Sequence, residues 1–182
     1  IRGILGALEL RSRAHMLECL YRVPDLQSLF PLADWVYSTP QTAIAADRQG
    51  NERLRVQVVT GIGQGDPLGT VMHNVSVKVD HHEILDELAK ADPVLGPLCK
   101  LLAEHDDLFL LCPPPLIPLA ISIIDRVVKR RQSQLCLPKT RVLYYHPDPL
   151  PQHVTDFIRK SGVKLETESA KVVGGIVAKS KQ

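Results

Sequence analysis

The spacing of apolar residues changes along the chain between a period near 3.6 and a period of two, which predicts helices alternating with strands. Helical spacing starts after Ser12, a good N-cap residue, in SRAHMLECLYRV. It returns in PDLQSLFPLADWVYS, where Pro31 predicts a break or kink. QTAIAADRQGNERLRVQVVT then has strand-like runs on both sides of Gln49-Gly50-Asn51, which predicts a hairpin.

The rest of the chain continues this alternation. Pro67 is expected to start a long helix that ends near Lys90. After it, PLCKLLAEHDDLFLLC predicts strand, turn and strand, PLIPLAISIIDRVVKRRQ a helix, and TRVLYYH a strand. PQHVTDFIRKSG predicts a helix with Gly162 as its C-cap, and VKLETESAKVVGGIV a final hairpin. The order predicts an α+β fold, an antiparallel sheet backed by helices.

Composition narrows the functional classes only slightly. The 182 residues are 45% hydrophobic and 23% charged, typical of a globular domain, and the net charge of +2 makes any nucleic-acid surface a local one. Aromatic residues make up 4%, which argues against a platform that stacks bases. No stretch approaches the roughly 18 apolar residues of a membrane span, and the four cysteines form no C-x-x-C pair. We therefore expect an intracellular protein without a membrane partner.

Two adjacent acids stand between two apolar runs in AEHDDLFLLC, which predicts that they lie at a turn. Two carboxylates about 4 Å apart repel by about 4 kcal/mol at an effective dielectric constant near 20. Either water or a divalent cation relieves that repulsion, and carboxylate oxygens suit magnesium. Asp106 and Asp107 are therefore either a polar hairpin tip or part of a metal site.

A glycine-rich loop precedes the acids by about 40 residues. In TGIGQGDPLG, Gly61, Gly63 and Gly65 allow a close approach of the backbone, and Gln64 offers donors and an acceptor. Such a loop at the start of a helix can accept a phosphate or a nucleic-acid backbone. Downstream, LCLPKTRVL places Lys139 just before another strand.

These three elements, in this order, resemble the palm of a reverse transcriptase of the non-LTR retrotransposon type. GIGQGDPLG is similar to motif B, EHDD to the aromatic-x-Asp-Asp turn of motif C, and LCLPKT to motif D. AKVVGGIV is similar to the hairpin that follows. The resemblance implies a palm with motifs A to D over residues 1–150, and a helix with a motif E-like hairpin over 151–182 in the same domain.

The resemblance also implies roles for individual residues. Asp106 matches the aspartate that holds magnesium, and Asp107 matches its catalytic neighbour. Gln64 and Gly65 match the template and nucleotide contact, and Lys139 matches the motif D lysine. Chemistry with two metal ions needs carboxylates that bridge both.

Motif A departs from the family pattern. Ala7, Leu8 and Arg13 occupy the places of its alanine, phenylalanine and arginine, but Gly3 stands where the family has its metal-binding aspartate. A glycine side chain cannot ligate a cation, and misplacement on the ångström scale already costs orders of magnitude in rate. We therefore interpret the chain as a degenerate palm in which Asp106 and Asp107 are vestigial.

A basic run ends the helix after the acids. Lys129, Arg130 and Arg131 form either a solvated helix end favoured by the macrodipole or a local phosphate-binding surface. The second interpretation adds them to the candidate RNA contacts.

Two hypotheses follow. In the first, the degenerate palm is a structural, RNA-contacting subunit of a larger ribonucleoprotein, with a mitochondrial ribosome as one host. It needs no cofactor and no small-molecule substrate, its partners are RNA and protein subunits, and its compartment is the mitochondrion or, alternatively, the nucleus. In the second, the chain is a fragment of an active RNA-directed DNA polymerase that uses two magnesium ions.

Overall fold

Helices and short strands share the structure. The computed structural model describes residues 12–59, 61, 66–104, 107–131, 133–172 and 175–178. Its helices are α1 (Arg13–Tyr21), α2 (Phe30–Tyr37), α3 (Pro67–Ala91), α4 (Ile117–Arg130) and α5 (Gln152–Ser161). Its strands are β1 (Gln41–Ala46), β2 (Glu52–Val58), β3 (Lys100–Glu104), β4 (Asp107–Leu111), β5 (Arg141–Leu143), β6 (Lys164–Glu166), β7 (Ser169–Val172) and β8 (Gly175–Ala178). The α+β class is confirmed.

The strands of the described residues form four two-stranded pairs. The pairs β1–β2, β3–β4 and β7–β8 are antiparallel hairpins, whereas β5 and β6 pair in parallel. The prediction of a hairpin across VKLETESAKVVGGIV is therefore wrong in its first half. Because α5 lies between β5 and β6, the chain returns in the same direction and can pair in parallel, which a tight turn does not allow.

The element ends follow local chemistry. The Ser12 side chain accepts from the His15 backbone N–H at 3.4 Å, so the predicted N-cap of α1 is confirmed. Gly162 follows α5 with a φ of 80°, the left-handed conformation that glycine adopts without strain. The expected break falls just before Pro31: a 3₁₀ helix over Pro24–Leu29 ends there, and Pro31 lies in the first turn of α2. At that place the missing N–H of proline costs nothing.

The chain divides into two compact units, each with its own core. The first unit contains residues 1–81 and 130–133, and the second contains residues 82–129 and 134–182. The core of the first unit consists of Met16, Leu17, Leu20, Ala33, Tyr37 and Met72. The second unit has a larger cluster of Ile84, Leu88, Cys99, Leu116, Ala120, Ile123, Ile124 and Val127, and a smaller one of Ile117, Val142, Val154, Ile158 and Val163. Across the described ranges, no helix combines the length and apolar character of a bilayer span.

The β3–β4 hairpin belongs to the second unit and packs one face on its core. Leu101 and Leu110 lie opposite each other and contact the larger cluster. The alternate residues point away from it, and Leu102 and Leu111 are 61% and 62% exposed. The apolar runs of this hairpin predict strands that are buried on both faces. In the structure the second unit covers one of those faces.

Candidate functional site

Asp107, the second of the paired acids, lies in the last residue pair of the β3–β4 hairpin. In the observed register Glu104 lies opposite Asp107, so residues 105–106 connect the two strands. The two predicted strands are confirmed, and Asp107 is the first residue of β4. Asp106 lies outside the described residues, as does Gly3, so their roles stay predictions.

The glycine-rich loop is described at its two ends, Gly61 and Asp66, while Gln64 and Gly65 lie outside the described residues. Asp66 caps α3: its Oδ1 accepts from the backbone N–H of Leu68 at 2.9 Å and of Gly69 at 3.3 Å. A carboxylate at this position also suits the positive end of the helix dipole. The aspartate of GIGQGDPLG therefore has a structural role that the sequence analysis did not assign.

Arg13, the first residue of α1, contacts the other described end of this loop at Gly61. Its Nε donates to the carbonyl oxygen of Gly61 at 2.7 Å, and its Nη1 donates to that of Thr39 at 3.1 Å. Its Nη2 donates to Gln41 Oε1 at 3.2 Å. The side chain is only 6% exposed, so these acceptors replace the water that burial removes. Gly61 has a φ of 66°, a left-handed conformation that favours glycine.

Tyr37 links Arg13 to the cap of α3. The Arg13 guanidinium lies 5.5 Å from the centre of the Tyr37 ring, a cation–π distance, and the Tyr37 hydroxyl donates to Asp66 Oδ2. Burial of the ring, followed by the bond to Asp66, raises the pKa of Tyr37 well above its usual range. The hydroxyl therefore stays protonated and keeps donating, which holds the start of α3 beside α2.

A second buried polar group connects α1, α3 and the residue after α4. Asp80 is 2% exposed, and its Oδ1 lies 3.7 Å from His15 Nε2. Arg131 Nε donates to the same oxygen at 3.3 Å. Cys19 Sγ lies 3.4 Å from His15 Nε2. The bond to Asp80, with a smaller contribution from Cys19, raises the pKa of His15 to about 9.

This arrangement fits a structural role better than nucleophilic catalysis. In a Cys-His-Asp relay the carboxylate holds one ring nitrogen and the thiol faces the other. Here Asp80 and Cys19 both lie nearest to His15 Nε2, with Cys19 Sγ farther from Nδ1 at 3.8 Å, and Cys19 is 3% exposed. Searched over the described ranges, no three His, Cys, Asp or Glu side chains are arranged to hold a metal ion. A protonated His15 and Arg131 instead neutralise the buried Asp80 carboxylate.

The candidate RNA contacts differ in exposure and in what their side chains contact. Lys129, which belongs to the second unit, forms an ion pair with Asp125 at 2.7 Å and remains 63% exposed. Arg130 ends α4 with its side chain exposed, and Arg131 holds Asp80. Lys139 is exposed at the end of a 3₁₀ turn over Leu137–Lys139, directly before β5.

No protein-family model matches the chain, and no curated protein is significantly similar to it. The resemblance to reverse transcriptase palms therefore depends on the order and spacing of the motifs.

Proposed function

We propose that this chain is a degenerate reverse-transcriptase-like palm that has lost polymerase chemistry and acts as a structural, RNA-contacting subunit of a larger ribonucleoprotein. The observation that carries the proposal is that Arg13, the arginine of motif A, anchors the motif B loop through Gly61, while Gly3 replaces the motif A aspartate. Residues that support the loop are thus kept, and a residue that would bind metal is absent.

The element order supports the palm. A helix follows the motif A segment, a hairpin and a long helix lie on the two sides of the motif B loop, and the paired strands β3 and β4 lie on the two sides of motif C. A helix and a strand then surround Lys139, and the β7–β8 hairpin falls on the motif E-like segment. This order of described elements is the observation that supports a palm-like arrangement.

The absence of a carboxylate at residue 3 supports the loss of catalysis. Two metal ions about 3.5–4 Å apart need carboxylates on both sides to hold them in position. With glycine at residue 3, Asp106 and Asp107 lack the opposing ligand of motif A. A fragment of an active polymerase would need that ligand from another residue.

RNA contact is supported by exposed cations on a chain of nearly neutral net charge. Lysines that contact phosphates contribute affinity that depends on salt but not on sequence. Because Lys129 and Arg131 already hold carboxylates, we expect Lys139 to contribute more to RNA binding than either of them.

Primer extension with Mg²⁺ tests the loss of catalysis. We expect no template-dependent synthesis from the purified chain, and a Gly3→Asp variant tests whether one carboxylate restores it. Because a polymerase needs more than its palm, binding of Mn²⁺ followed by electron paramagnetic resonance provides a second measurement. Gly3→Asp should bind Mn²⁺ more tightly than the natural chain. Template-dependent synthesis by the natural chain that Asp106→Ala abolishes would refute the proposal.

Fluorescence anisotropy with a single-stranded RNA tests the RNA contact of the proposal. Lys139→Glu should weaken binding at low salt and reduce the salt dependence by about one phosphate contact. Lys90→Glu is the matched control, since Lys90 is also an exposed lysine of the second unit and the charge change is the same. Equal losses in the two variants, or no RNA binding by the natural chain, would argue against an RNA contact at Lys139.

A further inference from the structure

An open cavity of about 520 Å³ lies in the second unit at the carboxyl ends of the parallel strands β5 and β6. Residues 144–146, which follow β5, form one wall, and Leu165 and Thr167 at the end of β6 form another. Gln152 and Thr155, one turn apart on α5, complete the lining. The cavity thus lies where the two strands end and where the helix that connects them begins.

The aromatic wall is held by the backbone and by the core beneath it. The Tyr144 N–H donates to the carbonyl of Glu166 at 3.0 Å, which continues the parallel pairing one residue beyond β5. Val142 and Val154, below the cavity's strand and helix, are 9% and 0% exposed. The wall is therefore positioned before any ligand arrives, which lowers the entropy lost on binding.

Rings gather on this wall. Tyr144, Tyr145 and His146 all line the cavity, and the rings of Tyr144 and His146 have their centres 6.2 Å apart at an angle of 44°. The chain has four tyrosines in all, so half of them line one cavity. The low aromatic content of the whole chain argues against base stacking as a general property. It does not exclude stacking in this cavity, where three rings lie together.

The remaining lining groups surround these rings with polar atoms. Leu150 and Leu165 supply apolar surface. One N–H of the Gln152 amide donates to Asp156 Oδ1 at 3.1 Å, which leaves its second N–H and its oxygen for a ligand. Thr155 adds a hydroxyl that donates to the Pro151 carbonyl at 3.4 Å and can still accept, and Asp148 adds a carboxylate 3.4 Å from His146 Nδ1. A ligand that matches this lining has a flat ring for the tyrosines and a polar edge for the amide and hydroxyl groups.

The geometry points to a nucleobase-binding site in this cavity, which takes the base of a free nucleotide or of single-stranded RNA. Bases stack on tyrosine rings and are read along their edges by amide and hydroxyl groups. The volume lies within the range of about 300–1,000 Å³ that small-molecule sites occupy. If the base belongs to RNA, this inference rests on the proposed function, and the cavity is one of its RNA contacts. The site itself does not depend on Lys139 or on Asp106 and Asp107.

Three probes separate the base from the phosphate that accompanies it. The intact chain is titrated with adenosine monophosphate, with ribose 5-phosphate and with a six-residue oligoadenylate, and the ring resonances of the tyrosines are followed by NMR. Adenosine monophosphate and the oligonucleotide should shift the signals of Tyr144 and Tyr145, and ribose 5-phosphate should not. Tighter binding of the oligonucleotide would identify RNA as the source of the base, and equal binding would identify a nucleotide.

Variants then assign the contact. Tyr144→Ala and Tyr145→Ala should each weaken the binding of adenosine monophosphate about tenfold, while Tyr144→Phe keeps most of the affinity because its ring still stacks. Tyr21→Ala removes an exposed tyrosine of the first unit and serves as the control. Circular dichroism confirms that each variant is folded.

Equal shifts with ribose 5-phosphate, or unchanged affinity in folded Tyr144→Ala and Tyr145→Ala, would overturn the inference. Lys139→Glu keeps the two proposals separate, because it should weaken RNA binding and leave adenosine monophosphate binding unchanged. A chain that fails to bind RNA but binds the nucleotide would contradict the proposed function alone.

Discussion

The two units bury different kinds of side chain. Among the described residues, the buried polar and charged side chains Arg13, His73, Ser76 and Asp80 all lie in the first unit. In the second unit the described core consists of aliphatic residues and Cys99, and α4 contributes more of it than any other element. The first unit is therefore held in part by directional hydrogen bonds, and the second mainly by packing, which has no preferred direction.

This difference decides how each unit should respond to substitution. A buried polar group that loses its partner costs the free energy of its desolvation, so its partners must be specific. An apolar core tolerates changes that conserve volume, and it loses stability chiefly when a cavity is left. Amide hydrogen exchange, which reports local opening residue by residue, can follow both units in one experiment.

The largest effect is expected from a cavity in the apolar core. Leu88 is fully buried, and Leu88→Ala should lower the free energy of opening of α4 by about 3 kcal/mol. Hydrogen exchange of the α4 amides measures the loss. Leu111→Ala, at a leucine of the second unit that is 62% exposed, is the control and should change this free energy by less than about 0.5 kcal/mol. Similar losses in the two variants would contradict the assignment of this core.

Arg13→Met should have a slightly smaller effect, confined to the first unit. The variant keeps much of the side-chain volume but leaves the carbonyl oxygens of Gly61 and Thr39 without their donor. We expect a loss of about 2–3 kcal/mol in the opening free energy of α1 and α2. Arg22→Met, at an arginine of the same unit that is 70% exposed, should cost less than about 0.5 kcal/mol. Unchanged exchange in α1 would show that the Arg13 bonds do not stabilise this unit.

The His15–Asp80 contact predicts a pH dependence of the first unit. Since folding raises the pKa of His15 from 6.5 to about 9, the contact stabilises fully below about pH 6.5 and loses this contribution as the pH rises to about 9. Among the described residues, Asp80 on α3, Cys19 on α1 and Arg131 after α4 are the charged or titratable groups that act on the pKa of His15.

The contact should contribute on the order of 1–2 kcal/mol to the free energy of unfolding. The Asp80 carboxylate is buried, and the His15 side chain is 13% exposed. Thermal melting of the natural chain and of His15→Gln at pH 6 and pH 9.5 measures this contribution. The natural chain should be the more stable at pH 6, and the difference should shrink at pH 9.5. A difference that grows with pH would have the wrong sign for this explanation.

The smallest effect is expected at an exposed pair in the second unit. Lys129 and Asp125 are four residues apart on α4, and such pairs contribute about 0.3–0.5 kcal/mol. Lys129→Ala should therefore leave the melting temperature almost unchanged at moderate salt. A loss above about 1 kcal/mol would show that the lysine has a further contact, and a double-mutant cycle with Asp125→Ala would isolate the pair.

Local sequence determined most of the elements. Ser12 caps α1, Pro67 starts α3, and Gly162 ends α5, each through its local conformation or its immediate neighbours. The strands on the two sides of EHDD follow from the sequence, since two apolar runs separated by polar residues specify a hairpin wherever the strands finally pack. The order of motifs that suggests a palm also belongs to this level, because it depends only on the sequence.

Tertiary structure decided what those elements contact. Nothing in the spacing of residues indicated that Arg13 would reach Gly61, 48 positions away, or that His15, Asp80 and Arg131 would share one buried site. The parallel pairing of β5 with β6, and the aromatic cavity at their ends, likewise come from how α5 returns the chain. Caps and turns are set by bonds within a few residues, whereas buried partners and cavities depend on which distant segments exclude water together.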